Sequence, residues 1–154
     1  MAPPPELIEE ILEQLSVVTV DVEELTGATA TFVRLNRTDF HALQVLSSSK
    51  GMTAGELARA LRVTTGATTR VIDSLVAAGH ARREWDPEDR RRILVSVTPA
   101  ALRALERARQ GLRDDLRRAL EDFRPEQLET ILRFLVGTRG LVHDHARRLA
   151  RGGS

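Results

Sequence analysis

The sequence predicts a mainly helical fold that contains one small β-hairpin. Apolar residues recur at intervals of three and four over most of the chain, which is the spacing of one helix face. Between Gly79 and Thr98 the interval changes to two, as in paired strands. The chain has 154 residues and no cysteine, so its length suits one ordinary domain and disulfides and thiolate metal sites are excluded.

Three helices are predicted in the first part of the chain. The first spans residues 5 to about 34, because a proline suits its first turn and acidic residues favour its N-terminal end. Asn36 or Thr38 can cap the second helix, which ends at a run of serines. Thr53 and Glu56 have the spacing of a capping box and therefore mark the start of the third helix.

A helix–turn–helix is predicted around the end of the third helix. The link formed by Arg62 and Val63 is too short for anything but a tight turn. A fourth helix opens at Thr64 and ends near Gly79, a residue type favoured just after helix C-termini. The apolar spacing predicts that this helix buries Thr68, Val71, Ile72 and Leu75.

The second half of the chain is predicted to hold the hairpin and two long helices. Residues 80–85 and 91–97 have strand-like alternation, and an Asp-Pro-Glu-Asp turn separates them. Thr98 and Pro99 supply a cap and a first helical residue for a fifth helix. A sixth helix starts at Pro125, and both helices carry leucines at helical spacing.

Positive charge is concentrated in the helix–turn–helix and the hairpin, although the net charge of the chain is only +1. The stretch from Arg59 to Arg92 contains eight basic and five acidic residues, and the acids cluster in the hairpin. A basic hairpin directly after a helix–turn–helix is the plan of a winged helix–turn–helix. In that plan the second helix enters the DNA major groove, and the hairpin, or wing, lies along the backbone and inserts an arginine into the minor groove.

Each of these features also has a purely structural explanation. A helix–turn–helix is a common packing motif, threonines often only cap helices, and arginine runs often form a solvated face. The combination favours DNA binding, because a capping box, a short turn, a glycine and a basic hairpin follow in that order within about 45 residues.

The chain resembles the MarR family of bacterial transcriptional regulators. The wing signature of that family is Asp-x-Arg, a short β segment, an apolar residue and Thr. It stands here as Asp89-Arg90-Arg91 through Val97-Thr98, with valine where leucine is commoner. The stretch TAGELARALRVTTGATTRVIDSLVAAGH is similar to the third and fourth helices of the family. Within it, GATTRVIDSL is similar to a subgroup with glycine at the start of the recognition helix.

The resemblance covers residues 5–150 and is strongest from Leu35 to Thr98. It implies a single domain over residues 1–154, with a DNA-binding lobe at 35–98 and dimerisation helices at 5–34 and 99–150. Two positions depart from the family pattern. His80 stands where leucine is usual, and Ala101 stands where glycine often follows Thr-Pro.

The resemblance also implies a function and a set of site residues. We expect a homodimeric regulator, most simply a repressor, that binds a pseudo-palindromic operator in double-stranded DNA. The major-groove contacts would come from Thr64, Thr65, Gly66, Thr69 and Arg70. The wing contacts would come from Arg90, Arg91 and Arg92, with Asp89 pairing with Arg91 or a neighbour to orient it.

Many members of the family release DNA when a small anionic or phenolic effector binds near the junction of the lobe and the dimerisation helices. His41 on the second helix is the candidate contact here, and the alternative is a surface histidine or one with an internal hydrogen-bond partner. We expect no cofactor and no metal site. His143 and His145 lie two residues apart on a helix, so they point to different faces.

Other functional classes find little support in the sequence. There is no Gly-rich phosphate loop, no Gly-x-Ser-x-Gly and no HExxH, so we expect no enzyme. The N-terminus lacks the pattern of a signal peptide, and no apolar stretch approaches the roughly 20 residues that span a bilayer, which favours a cytoplasmic protein without membrane contact. The alternative is a winged-helix protein that has lost DNA binding and acts through protein contacts. Such a protein would be expected to have a neutral or acidic wing.

Overall fold

The computed structural model describes residues 4–152, so residues 1–3 and 153–154 of the predicted domain lie outside the described part. It confirms a mainly helical fold with one antiparallel hairpin. The elements in chain order are α1 (Pro5–Phe32), α2 (Arg37–Ser47), α3 (Ala54–Leu61), α4 (Thr65–Ala77), β1 (Ala81–Trp85), β2 (Ile93–Val97), α5 (Pro99–Glu121) and α6 (Pro125–Gly152). The chain forms two compact units, one ending at Arg109 and the other beginning at Gln110.

Side-chain caps start α2, α3 and α4 where the sequence predicts them. The Asn36 side chain accepts a hydrogen bond from the Asp39 backbone N–H at 2.9 Å. Both bonds of the capping box between Thr53 and Glu56 are present at the start of α3. Thr64 caps α4 in the same way, so each helix begins at a residue that satisfies one of its free backbone N–H groups.

The turn between α3 and α4 depends on one left-handed residue. Arg62 has φ 57° and ψ 41°, and the Val63 N–H donates to the Ala58 carbonyl at 3.2 Å. Gly79 ends α4 in a similar way with φ +74°, a conformation that side chains adopt only with strain. A Cβ at Gly79 would meet no atom within 4 Å, so its backbone angle is the feature that requires glycine.

The hairpin pairs its strands from Ala81 opposite Val97 to Trp85 opposite Ile93. The prediction that the second strand begins at residue 91 is wrong, because β2 begins at Ile93. Residues 90 and 91 lie in a turn, since the Arg92 N–H donates to the Asp89 carbonyl at 2.9 Å. The turn residues are consecutive arginines, so the sequence does not mark where the strand pairing ends.

Two contacts fix the base of the hairpin to other parts of the chain. Met52, just before α3, exchanges two backbone hydrogen bonds with Val95 of β2, at 3.0 and 2.7 Å. His80 lies just before β1, and its Nε2 is 3.0 Å from the Val33 carbonyl oxygen at the end of α1. The histidine that departs from the family pattern therefore makes a polar contact that leucine would lack.

The core lies mainly in residues 30–105. Its largest fully buried side chains are Phe40, Leu43, Leu46, Leu57, Ile72, Leu75 and Thr68. The predicted buried face of α4 is confirmed, because its buried residues are Thr68, Val71, Ile72 and Leu75. Helix α4 therefore packs on the core with one face and leaves its other face exposed.

The long helices are far less buried. Helix α1 buries only Thr29 and Ala30, and α6 buries no described residue. Large apolar side chains are exposed along both helices, among them Val20, Phe32, Leu132, Val136 and Leu141. No helix within residues 4–152 has the length and apolar character needed to cross a membrane.

Candidate nucleic-acid interface

The N-terminal end of α4 presents a small, polar and exposed surface. All five residues predicted for the major groove are exposed, namely Thr64, Thr65, Gly66, Thr69 and Arg70. The Thr64 Oγ1 accepts from the Ala67 N–H at 3.3 Å, and the Thr69 hydroxyl donates to the Thr65 carbonyl at 3.0 Å. The positive end of the helix dipole adds to the attraction of this surface for anions.

Gly66 lies within the first turn of α4, where glycine is not required by the backbone or by packing. A Cβ built at Gly66 would meet no atom of the chain within 4 Å. Glycine is also a poor helix former, so this residue carries a conformational cost without an internal gain. The open space above it would allow close approach of another molecule's backbone.

Two polar contacts connect α4 to neighbouring elements. The Arg83 guanidinium of β1 donates to the Asp73 carboxylate at 2.6 Å, which connects the hairpin to α4. The Ser74 hydroxyl donates to the Asp39 carboxylate of α2, also at 2.6 Å. The sequence pattern indicates no role for these four residues, because pairing partners 10 and 35 residues apart leave no local signal.

The loop between the strands, residues 86–92, is called the wing loop below. Its ends are joined by a hydrogen bond of 3.0 Å from the Asp86 N–H to the Arg92 carbonyl. Asp89 Oδ1 accepts from the Arg91 backbone N–H at 3.0 Å. The contact between Asp89 and Arg91 is thus a backbone contact, and it shapes the turn rather than holding the guanidinium.

The structure separates the three consecutive arginines. The Arg92 guanidinium lies 3.2 Å from a Glu56 carboxylate oxygen and 3.7 Å from an Asp86 carboxylate oxygen. Arg90 and Arg91 are exposed, and their guanidinium groups make no ion pair with any residue between 4 and 152. Two of the three charges are therefore available to a ligand, while the third is engaged by the protein itself.

Two carboxylates near the hairpin are held in the charged form. The Thr53 backbone N–H lowers the pKa of Glu56 most, and the Thr53 hydroxyl and the charges of Arg92 and Arg59 lower it further. The pKa of Glu84 is lowered first by the hydrogen bond from the Ser96 hydroxyl and then by Arg82. Both groups are available as negative partners at neutral pH.

The candidate effector contact His41 is exposed on α2 and lines a groove of about 580 Å³. The groove also includes Glu23 and Thr26 of α1, Gln44 of α2 and Val63 of the turn before α4. No cluster of three or more metal-binding side chains occurs within the described part of the chain.

Comparison with known proteins places this geometry in one family. The family model described as "MarR family" matches residues 35–93, which contain the helix–turn–helix and most of the hairpin. The HTH-type transcriptional regulator YcgE of Bacillus subtilis is 30% identical over 122 residues, or 79% of each chain. The chain belongs to the MarR family. It is a DNA-binding transcriptional regulator of the winged-helix type.

Solved structures agree with this MarR fold. A MarR family protein from Bacillus stearothermophilus superposes with a TM-score of 0.68 at 20% identity, covering 92% of this chain and 99% of that one. A mutant MepR of S. aureus bound to an oligodeoxyribonucleotide gives a TM-score of 0.57 at 17% identity, covering 86% and 97%. Both structures therefore share the fold of this chain.

Proposed function

We propose that this MarR-family regulator is a repressor that binds a pseudo-palindromic operator as a homodimer. The N-terminal end of α4 would enter the major groove, and the wing loop would enter the minor groove. The observation that carries the proposal is that the Arg90 and Arg91 guanidinium groups make no ion pair with any described residue and lie on a loop whose ends are joined by a hydrogen bond. MepR, a protein of the same fold, is itself bound to DNA in its structure.

The major-groove part of the proposal rests on the exposed end of α4. Small polar residues there let the helix approach base edges and phosphates closely. Gly66 supports membership of the subgroup with glycine at the start of the recognition helix, because it lies in the first turn of α4. Arg70, one turn on, would contact a guanine edge or a phosphate.

Within the wing loop we assign Arg91 to the minor groove. Asp89 holds the backbone N–H of Arg91 and so fixes the place from which its side chain extends. Arg90 would contact the backbone phosphates. A narrow A·T-rich minor groove has the strongest negative potential and attracts such a guanidinium group.

The homodimer would be formed by residues 5–34 and 99–150 of one domain that spans residues 1–154, with residues 35–98 as the DNA-binding lobe. The exposed apolar side chains of α1, α5 and α6 support this division, because a lone chain would leave them in water. A second copy would cover these faces and would place two recognition helices on one operator.

Release from DNA would follow binding of a small anionic or phenolic effector in the groove that His41 lines. The groove lies between α1, a proposed dimerisation helix, and α2 of the DNA-binding lobe. A ligand there would contact both parts of the protein. It could therefore favour one arrangement of the two over another.

The decisive experiment is the operator affinity of Arg91→Ala. We expect a loss of about tenfold or more, and a salt dependence that is shallower by about one phosphate contact, because one cation leaves the interface. Arg151→Ala removes an exposed arginine near the end of α6, outside both the lobe and residues 99–150, and should leave the affinity unchanged.

Wild-type affinity in Arg91→Ala, together with an unchanged melting curve, would refute the wing assignment. Absence of salt-dependent binding by the wild-type protein itself would instead favour the alternative of a winged-helix protein that acts through protein contacts.

A further inference from the structure

We propose that Arg92 is a positioning residue, which bridges Glu56 on α3 and Asp86 in the wing loop and thereby sets where the wing stands relative to the helix–turn–helix. This role differs from the DNA contact that the sequence predicts for Arg92. The inference rests on the proposed function, because its consequence is the placement of Arg90 and Arg91 at the DNA.

The backbone of Arg92 fixes the root of its side chain. Its N–H donates to the Asp89 carbonyl at 2.9 Å, and its carbonyl accepts from the Asp86 N–H at 3.0 Å. Arg92 thus closes both the turn and the wing loop. An ion pair that fixes the Arg92 guanidinium therefore also restrains the wing loop as a whole.

Glu56 is an equally fixed partner. One of its carboxylate oxygens accepts from both the backbone N–H and the hydroxyl of Thr53, at 2.7 and 2.8 Å. The other oxygen lies 3.2 Å from the Arg92 guanidinium. The capping box therefore has a second use. It orients the Glu56 carboxylate toward the wing independently of Arg92. The pair therefore loses less side-chain entropy on forming than an exposed ion pair normally loses.

The ion pair between Arg92 and Glu56 connects the wing loop to the helix–turn–helix. Among residues 4–152, it is the one hydrogen bond or ion pair that joins residues 86–92 to a residue outside the hairpin. The other hydrogen bonds of the loop are internal. Its loss would leave the loop attached through the two strands alone.

The surrounding charges also keep Arg92 away from DNA. Asp86 is buried, and its carboxylate lies 3.7 Å from the guanidinium. Movement of Arg92 to a phosphate would remove the arginine partner of Asp86 and Glu56 and leave two carboxylate charges close to the polyanion, which is unfavourable. Arg90 and Arg91 can contact phosphates without any such loss.

The test compares Arg92→Ala, Glu56→Gln and the double variant. Glutamine keeps the oxygen that the capping box needs and removes the charge that holds Arg92. Trp85, the only tryptophan of the chain, lies directly before the wing loop and is exposed, so its fluorescence anisotropy decay reports loop motion without DNA. Operator affinity is measured with the same proteins at several salt concentrations.

We expect each single variant to weaken operator binding by about three- to thirtyfold, with the double variant no weaker than the worse single variant. The slope of affinity against salt should stay at the wild-type value, since no phosphate contact is lost. Trp85 should show faster motion in all three variants. Arg91→Ala is the matched control, with a shallower salt slope and unchanged Trp85 motion.

A salt slope that falls by about one in Arg92→Ala, with affinity kept or raised in Glu56→Gln, would overturn the proposal and make Arg92 a phosphate contact. Unchanged Trp85 motion in both single variants would also overturn it. If the wild-type protein bound no operator, the proposed function would fail, and the Trp85 measurement would still decide whether Arg92 holds the wing.

Discussion

The DNA-binding lobe and helix α6 differ in how far their large apolar side chains are buried. The lobe covers its own large apolar side chains, including Phe40, Leu43 and Leu57, to within 1% exposure. Helix α6 buries none of its described residues, and Leu132, Val136 and Leu141 are more than 60% exposed. The lobe is therefore organised by the chain itself, whereas α6 has an apolar surface that suits a second chain.

The same contrast recurs on a smaller scale in the wing loop. The Arg92 guanidinium pairs with carboxylates of the chain, and those of Arg90 and Arg91 make no ion pair with any residue from 4 to 152. In both cases the groups that the fold leaves without a partner are those that suit another molecule. Apolar side chains suit a second copy, and guanidinium groups suit DNA.

Introducing charge on α6 should have the largest effect. Leu132 and Val136 lie one turn apart on one helix face, and replacing both by glutamate would place carboxylates in the proposed dimer interface. We expect dimerisation to weaken at least about 1000-fold, since each buried charge costs several kcal/mol. Sedimentation equilibrium measures this. Arg148→Glu, at an exposed polar position on the other side of α6 by helix periodicity, is the control. A dimer of wild-type strength would refute the assigned interface.

A cavity in the lobe should have the next largest effect. Leu43 is fully buried, so Leu43→Ala should cost about 2–5 kcal/mol of unfolding free energy through lost burial and an unfilled cavity. Val63→Ala truncates an exposed side chain in the turn before α4 and should cost less than about 1 kcal/mol. Urea denaturation measures the unfolding free energy of both variants. Similar losses at the two positions would contradict the view that the lobe is held by its own core.

Acid should destabilise the lobe by a smaller amount through Glu84. Its pKa lies below the ordinary 4.5 because Ser96 and Arg82 stabilise the carboxylate. The stabilising contribution is therefore complete above about pH 4.5 and is lost as the pH falls through the lower folded pKa. Glu84→Gln should flatten the fall in melting temperature below pH 4.5, and Glu88→Gln on the wing loop should not. A wild-type profile in Glu84→Gln would exclude this contribution.

The sequence predicts the features whose signals are local. The caps Asn36, Thr53 and Thr64 each lie within four residues of the N–H group that they satisfy, so helix starts are visible as short motifs. Gly79 ends α4 for an equally local reason, its positive φ. The order of helices and hairpin follows from these signals and from the apolar spacing.

The features that depend on distant residues could not be predicted in this way. Arg92 and Glu56 are 36 residues apart, and Ser74 and Asp39 are 35 apart, so only the folded chain brings them together. For the same reason the three arginines of the wing look equivalent in the sequence. The sequence also places the start of β2 too early, because the backbone bonds that close the turn have no signal in a run of three arginines.

We propose that a self-contained lobe contacts DNA and that α1, α5 and α6 join two such lobes. A footprint tests this central claim most directly. The wild-type protein would be bound to the region upstream of its own gene. We expect two symmetric protected half-sites whose centres lie about one helical turn, roughly 34 Å, apart. A single asymmetric half-site, or no protection at moderate salt, would contradict the account.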